Sequence, residues 1–339
     1  AKLAVFIDSG VVNTNSTLID RINFFMNEYR EHIDFAGDIQ IVPGSEEIKN
    51  NHRNVELILK NMNQFGLCRR SYAIVIGGGA VLDAVGFAAS MAHRGIRLIR
   101  VATTTMSQAD SAMGVKNGIN AFEKKNFLGF FSVPWAVIND EALLKTLSDR
   151  DWIQGFAEII KVALLKDADL FEKIANNAKQ VRNRNLKTAI PLIRESARLH
   201  FEHITKNGDP FELLRARPLD FGHWSAHKLE QMTHFELGHG ESVAIGIAID
   251  TTYANLMGRL STADHRSVIK TLQQLGFKLF HPVMEHTSYM LKGLDEFREH
   301  LGGELTVPMI STFGETFDVH EIDRNQMRNA ITYLDDLRD

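Results

Sequence analysis

The chain has 339 residues, 44% hydrophobic and 24% charged, and its 38 Lys and Arg against 42 Asp and Glu leave a formal charge of −4. This is the balance of a folded globular protein long enough for about two domains of ~150 residues, and it excludes disorder and low complexity. Without a cluster of Lys and Arg there is no electrostatic footprint for a phosphate backbone, so nucleic acid is not the expected partner.

In chain order, AKLAVFIDSG reads as a strand and turn, lacking the basic start and apolar core of a signal peptide. A strand over 3–8, a helix over 15–29, a strand over 38–43 and a helix over 46–64 are followed by a strand over 71–78 and a small-residue helix over 81–92. Strands over 97–104 and 135–140 complete the series. This alternation predicts a mostly parallel sheet with helices on both faces. The apolar stretch 72–92 contains three glycines and Asp83, which argues against a membrane span. Cys68 is the only cysteine, so neither an intramolecular disulfide nor a cysteine zinc cage can form, and a reducing cytoplasm is expected.

After about residue 149 apolar residues recur at helical spacing, and the next strand-like run is LTVPMI near residue 305. The expected architecture is α/β: an N-terminal Rossmann-like, parallel-sheet domain over 1–149, joined through LSDRDW to a mainly helical domain over 150–339. A cleft between two such domains is the default place for a site.

Three groupings of residues carry chemistry. AIVIGGGAVLDAVG (73–86) puts glycines where a parallel strand turns into a helix, which lets backbone N–H groups approach a pyrophosphate at a helix N-terminus. It reads equally as a tight turn, with Asp83 in the first helical turn complementing the dipole. VATTTMSQADSAMGVKNGINAFEKKN (101–126) reads as a polar loop whose hydroxyls, amides and lysines could converge on a phosphate. His223 and His227 in DFGHWSAHKLE share a helix face, His239 follows in ELGHGES, and Glu158 sits in the apolar helix GFAEIIKVA, where a carboxylate is costly unless paired or metal-bound. Glu and His together would make an N/N/O metal site with open positions; the alternative is unrelated histidines in a chain that has fourteen.

Taken together, GGGAVLDAVGFAASMAHRGI, TTTMSQADSAMGVKNGIN, KKNFLG, GFAEIIKVA, GHWSAH and HGE resemble, in order and spacing, the sugar-phosphate cyclase superfamily typified by 3-dehydroquinate synthase, over nearly the whole chain. The resemblance implies a divalent metal, zinc or cobalt, on Glu158, His223 and His239, with His227 beside it. It implies NAD contacts at Gly78, Gly79, Asp83, Thr103, Thr104, Asp110 and Lys125, and at Glu46 and Lys49 in PGSEEIK. Lys116, Asn126 and Lys161 would face a sugar phosphate, and Arg94 would be supplied across a homodimer interface. The implied reaction is redox-neutral: hydride passes from a ring hydroxyl to NAD, phosphate is eliminated, the hydride returns, the ring opens and an intramolecular aldol step closes a carbocycle.

The sequence departs from dehydroquinate synthase where the family has asparagine three, arginine seven and lysine twenty-one residues before the first metal histidine. Those positions are Asp220, Ala216 and Glu202, with Arg215 and Arg217 flanking the second. VPMISTFGE also lacks the family's C-terminal lysine, and the GGKT-like stretch reads Gly114–Val115–Lys116–Asn117. Loss of cations and gain of carboxylates disfavours a carboxylated heptulosonate and favours a neutral-headed sugar phosphate such as sedoheptulose 7-phosphate. Dehydroquinate synthase itself, a metal-dependent polyol dehydrogenase and a non-enzymatic NAD-binding protein are the alternatives.

Overall fold

A computed structural model describes residues 1–122, 124–206, 209–212 and 219–338. The chain separates into two compact units, Ala1–Ser148 and Asp149–Asp339.

In the first unit the elements run β1 (Lys2–Asp8), α1 (Ser9–Thr14), α2 (Leu18–Glu28), β2 (Asp34–Phe35), β3 (Gln40–Val42), α3 (Glu47–Asn50), α4 (His52–Gln64), β4 (Tyr72–Gly77), α5 (Gly79–Met91), β5 (Arg97–Ala102), β6 (Lys116–Ala121), β7 (Lys124–Phe131) and β8 (Ala136–Asn139). Six strands form one sheet in the order β2-β1-β4-β5-β8, with β3 also on β1, and every pairing is parallel. Parallel strands need crossovers and buried faces, hence the near-continuous apolar runs of β1 and β4. Ala4, Phe6, Ala73, Val75, Ile58, Met62, Val81, Val85 and Leu98 form the core under α4 and α5.

Two expectations are corrected here. The helix over 46–64 is broken: Asn51 is extended (φ −121°, ψ 108°) and its side chain caps α4 through Arg53 N, as asparagine does by competing for backbone N–H groups. The polar loop over 101–126 is only partly a loop, since β6 and β7 pair as an antiparallel hairpin. Its middle is held by Gly118 opposite Gly129, and a β-carbon on either would fall 2.9 Å from a carbonyl oxygen of the facing strand.

The second unit comprises α6 (Asp149–Lys166), α7 (Ala168–Arg182), α8 (Leu186–Lys206), α9 (His223–Met232), α10 (His239–Leu256), α11 (Thr262–Leu275), α12 (Thr287–Met290), α13 (Lys292–His300), β9 (Val307–Thr312), β10 (Glu315–Val319) and α14 (Arg324–Asp335). β9 and β10 form a hairpin. The centre is α10, buried on all sides from Ser242 to Ala254, with α6, α9, α11 and α14 packed around it. Among the described residues no helix is long and apolar enough to cross a membrane.

Candidate active site

In the first unit Gly78, Gly79, Thr103 and Thr104 follow the C-terminal ends of β4 and β5. Gly78 precedes α5 with no side-chain cap, so the helix N-terminus is bare backbone. A β-carbon on Gly78 would meet Thr104 Cγ2 at 3.1 Å and one on Gly79 would meet Ser111 Oγ at 2.8 Å, so glycine is what lets these segments close in. Thr103 N–H donates to Gly77 O at 3.1 Å, and Thr104 Oγ1 lies 2.8 Å from Ser107 Oγ. Asp110 follows in a π-helical turn over Ser107–Ser111.

Asp83 lies in the second turn of α5, not the first, and its partner is a cation rather than the helix dipole. Lys49, 2% exposed, reaches Asp83 Oδ2 at 2.8 Å and also donates to Asn126 Oδ1. Lys125 Nζ is 3.6 Å from Glu46 Oε1, and Asn120 Nδ2 donates to Glu46 Oε2 at 3.2 Å while its Oδ1 accepts from Asn126 N–H at 2.9 Å. One network thus ties α3, α5, β6 and β7 together through Glu46, Lys49, Asp83, Lys125 and Asn126. Its charges beside a bare helix N-terminus suit a dinucleotide's ribose and phosphates.

Lys116 stands exposed at the start of β6. Its carbonyl accepts from Arg100 at 3.0 Å. Arg100 is fully buried and also donates to Ser111, Ala112 and Gly114 carbonyls and to Asn117 Oδ1 at 2.7 Å. Sequence reasoning missed it, although its inward position in the alternating strand RLIRVA is the signal. Arg94 is exposed, with left-handed φ of 62°, beside Cys68, Arg69, Arg70, Met91 and His93 at a surface depression of about 630 Å³. It does not join the network.

In the second unit Glu158, His223 and His239 each offer one ligand atom, all within 4.8 Å of one another. They come from α6, α9 and α10, and α10 comes close because Gly240 lies flat on α6: a β-carbon there would fall 2.2 Å from Gln154 O. His223 Nε2 is 3.6 Å and His239 Nε2 3.2 Å from the same oxygen, Glu158 Oε1. Tetrahedral zinc with bonds near 2.1 Å separates its ligand atoms by about 3.4 Å, so the set fits a divalent metal. The Nδ1 atoms face away, His223 Nδ1 to Phe221 O at 3.0 Å and His239 Nδ1 to Glu230 Oε1 at 3.2 Å, which fixes the tautomers that aim both Nε2 lone pairs at one point. Glu230, 3% exposed, is a second residue that sequence reasoning missed; it follows His227 by three positions on α9.

Burial alone would raise the Glu158 carboxyl, but Lys161, 2.6 Å away, and then His223 and His239 outweigh it and hold the group well below the usual carboxylate range. Lys161 is therefore paired with the candidate metal-ligand carboxylate, one turn along α6. His227 is half-buried with its ring 5.6 Å from that of His223 and 6.1 Å from that of His239. Asp220, half-buried, accepts His223 N–H on its carbonyl at 3.0 Å. Glu202 does not stand as an unanswered negative charge, since Arg198 and Lys206 each reach it at 2.6 Å. Arg215, Ala216 and Arg217 lie outside the described residues.

Residues 39–154 match the sequence family described as 3-dehydroquinate synthase N-terminal, and residues 155–294 the one described as 3-dehydroquinate synthase C-terminal. The chain is 34% identical over 295 residues to a 2-epi-5-epi-valiolone synthase of Streptomyces glaucescens, covering 84% of this chain and 76% of that one. It is 30% identical over 323 residues to a 3-dehydroquinate synthase of Dictyoglomus thermophilum, covering 94% and 89%. Among solved structures it superposes on the 2-epi-5-epi-valiolone synthase ValA of Streptomyces hygroscopicus, which has NAD+ and Zn2+ bound, with a TM-score of 0.92 and 26% identity over 99% of this chain and 91% of that one.

Proposed function

The chain belongs to the 3-dehydroquinate synthase family, and within it we propose an NAD- and divalent-metal-dependent sugar-phosphate cyclase acting on a seven-carbon sugar phosphate, sedoheptulose 7-phosphate. The observation that carries this reading is the convergence of Glu158, His223 and His239 on one point in a chain so similar to valiolone synthases. Zinc or cobalt held there polarises a ring hydroxyl and the ketone derived from it, while NAD accepts and returns one hydride.

The protein's own groups do the rest. Gly78, Gly79, Thr103, Thr104 and Asp110 line the dinucleotide, and the Glu46, Lys49, Asp83 and Lys125 network holds its ribose end. Lys161 keeps Glu158 ionised, so the ligand set carries one fixed negative charge. His227 takes the proton of the substrate hydroxyl, a role suited to imidazole beside a cation. Lys116 and Asn126 hold the phosphate that leaves with the proton acidified by the neighbouring ketone. Asp220 faces the sugar head, where a carboxylate repels a carboxylated substrate and can accept a hydrogen bond from a hydroxyl. The enzyme is read as a cytoplasmic carbon–oxygen lyase, working as a homodimer in which Arg94 serves the neighbouring copy.

One observation favours dehydroquinate synthase as a second reading: with Glu202 neutralised by Arg198 and Lys206, exclusion of a carboxylate rests chiefly on Asp220. The experiment is inorganic phosphate release by protein supplied with NAD and Co2+ or Zn2+, given sedoheptulose 7-phosphate and the carboxylated heptulosonate phosphate in parallel, with NADH absorbance followed. Phosphate from the former without net NADH, abolished by a chelator, is the expected result. Phosphate from the heptulosonate alone would make it a dehydroquinate synthase, and accumulating NADH a polyol dehydrogenase.

A further inference from the structure

Asp250 is a fully buried carboxylate on α10, and among the described residues no cation pairs with it. Its two oxygens are each used: Oδ2 accepts from Gly222 N–H at 2.9 Å and Oδ1 from the Trp224 indole N–H at 2.8 Å. Gly222 and Trp224 are the residues on either side of His223. One turn earlier on α10 the two segments touch backbone to backbone. A β-carbon on Gly222, whose φ is +76°, would fall 2.7 Å from Ile247 N, and one on Gly246 would fall 1.9 Å from Gly222 O. The first turn of α9 is thus fixed to α10 at two levels, by glycine contact and by a two-pronged carboxylate.

We propose that Asp250 is a positioning residue for the metal centre, holding His223 by its two neighbours so that its Nε2 comes to the point that Glu158 and His239 share. α10 then serves both histidines, bearing His239 at its first residue and setting His223 from its fourth turn. Packing alone would not call for an acid here, because burying a carboxylate costs more than burying an apolar side chain of similar size. Two N–H donors in fixed directions do call for one. Asparagine has a single acceptor oxygen, so in its place an NH2 group would face one of the two donors.

The inference rests on the metal reading of Glu158, His223 and His239, and its test separates the two. Protein stripped with a chelator is titrated with Co2+, and both the dissociation constant and the visible d–d absorption are recorded for wild type, Asp250→Asn, Trp224→Phe and Tyr253→Phe. Tyr253 lies on the same helix, where its hydroxyl accepts Asp323 N–H at 3.1 Å, and it serves as the control for simple loss of stability. Asp250→Asn and Trp224→Phe are expected to weaken Co2+ binding by about tenfold or more, the range for groups that orient a ligand, and to shift the d–d bands. Tyr253→Phe is expected to leave both unchanged. Wild-type affinity and spectrum in folded Asp250→Asn and Trp224→Phe would overturn the proposal, and should the first variant not fold, the second decides alone. Failure of wild type itself to take up Co2+ would instead remove the metal reading, and this inference with it.

Discussion

Lys161 Nζ lies 2.6 Å from Glu158 Oε2, three residues along the same helix, with both side chains buried. A buried ion pair that loses one partner leaves a charge without compensation, which costs about 3–5 kcal/mol. Lys161→Met should therefore destabilise the metal-free protein by about 3 kcal/mol in urea unfolding with a chelator present. Lys161→Met with Glu158→Gln should cost less than the sum of the two single changes. Additive losses would mean that the pair is not coupled.

Burial pushes the Asp250 carboxyl up to about 7 from an ordinary 3.8, with the Trp224 and Gly222 hydrogen bonds opposing only in part. The folded protein therefore retains a proton that the unfolded chain has given up between pH 3.8 and 7. The stability this group contributes is complete below pH 3.8, falls as pH rises towards 7, and is constant above that. Unfolding of wild type and Asp250→Asn across this range should show the wild-type advantage shrinking up to about pH 7 and then levelling off. A difference independent of pH would mean that Asp250 titrates normally.

Arg100 replaces many small contacts with one guanidinium bound to backbone carbonyls and Asn117. Lysine keeps the charge but cannot reach acceptors in so many directions. Arg100→Lys should lose about 2–3 kcal/mol, the worth of a hydrogen bond to a charged group or somewhat more. It should also raise KM for the sugar phosphate through Lys116 while NAD affinity holds. Gly86→Ala acts on the same network from the other side, since its β-carbon would fall 1.8 Å from Asn117 Oδ1, and the double variant should be little worse than either single one. Unchanged KM in all three would separate Arg100 from the substrate end.

Lys49 has its charge answered by Asp83 while also holding Asn126. Lys49→Met and Asp83→Asn should each weaken NAD binding at least ~10-fold, a loss of about 1.4 kcal/mol, as read by quenching of tryptophan fluorescence. NAD affinity equal to wild type in both would remove this network from the dinucleotide site.

The parallel sheet was legible because β1, β4 and β5 are short apolar runs separated by amphipathic stretches, and the helical second unit because α6, α8 and α11 keep their period over several turns. The β6–β7 hairpin was not, because β6 is the short polar run KNGINA, and Gly118 and Gly129, which face each other at its middle, read as loop residues. Glu158, His223 and His239 could be named through resemblance, and spacing alone left them open. Glu230 and Asp250 show why: each acts on a residue of another element, His239 for Glu230 and Gly222 and Trp224 for Asp250, and how helices cross leaves no mark on neighbouring letters. The resemblance sets Lys161 towards the substrate, and the structure adds its ion pair with Glu158, which is legible in the sequence only as an i,i+3 spacing.

The contact of Gly222 with Gly246 leaves no room for a side chain between two helices that carry the histidine ligands. Any substitution there would pry the helices apart before it touched a substrate, so this pair behaves as a single rigid plate bearing the metal chemistry. Adaptation to a particular sugar is then expected at positions away from this contact, which can change without moving the histidines. On this account the placing of the histidines is the fixed part of the molecule, and selectivity for one sugar falls to parts that can vary without disturbing it.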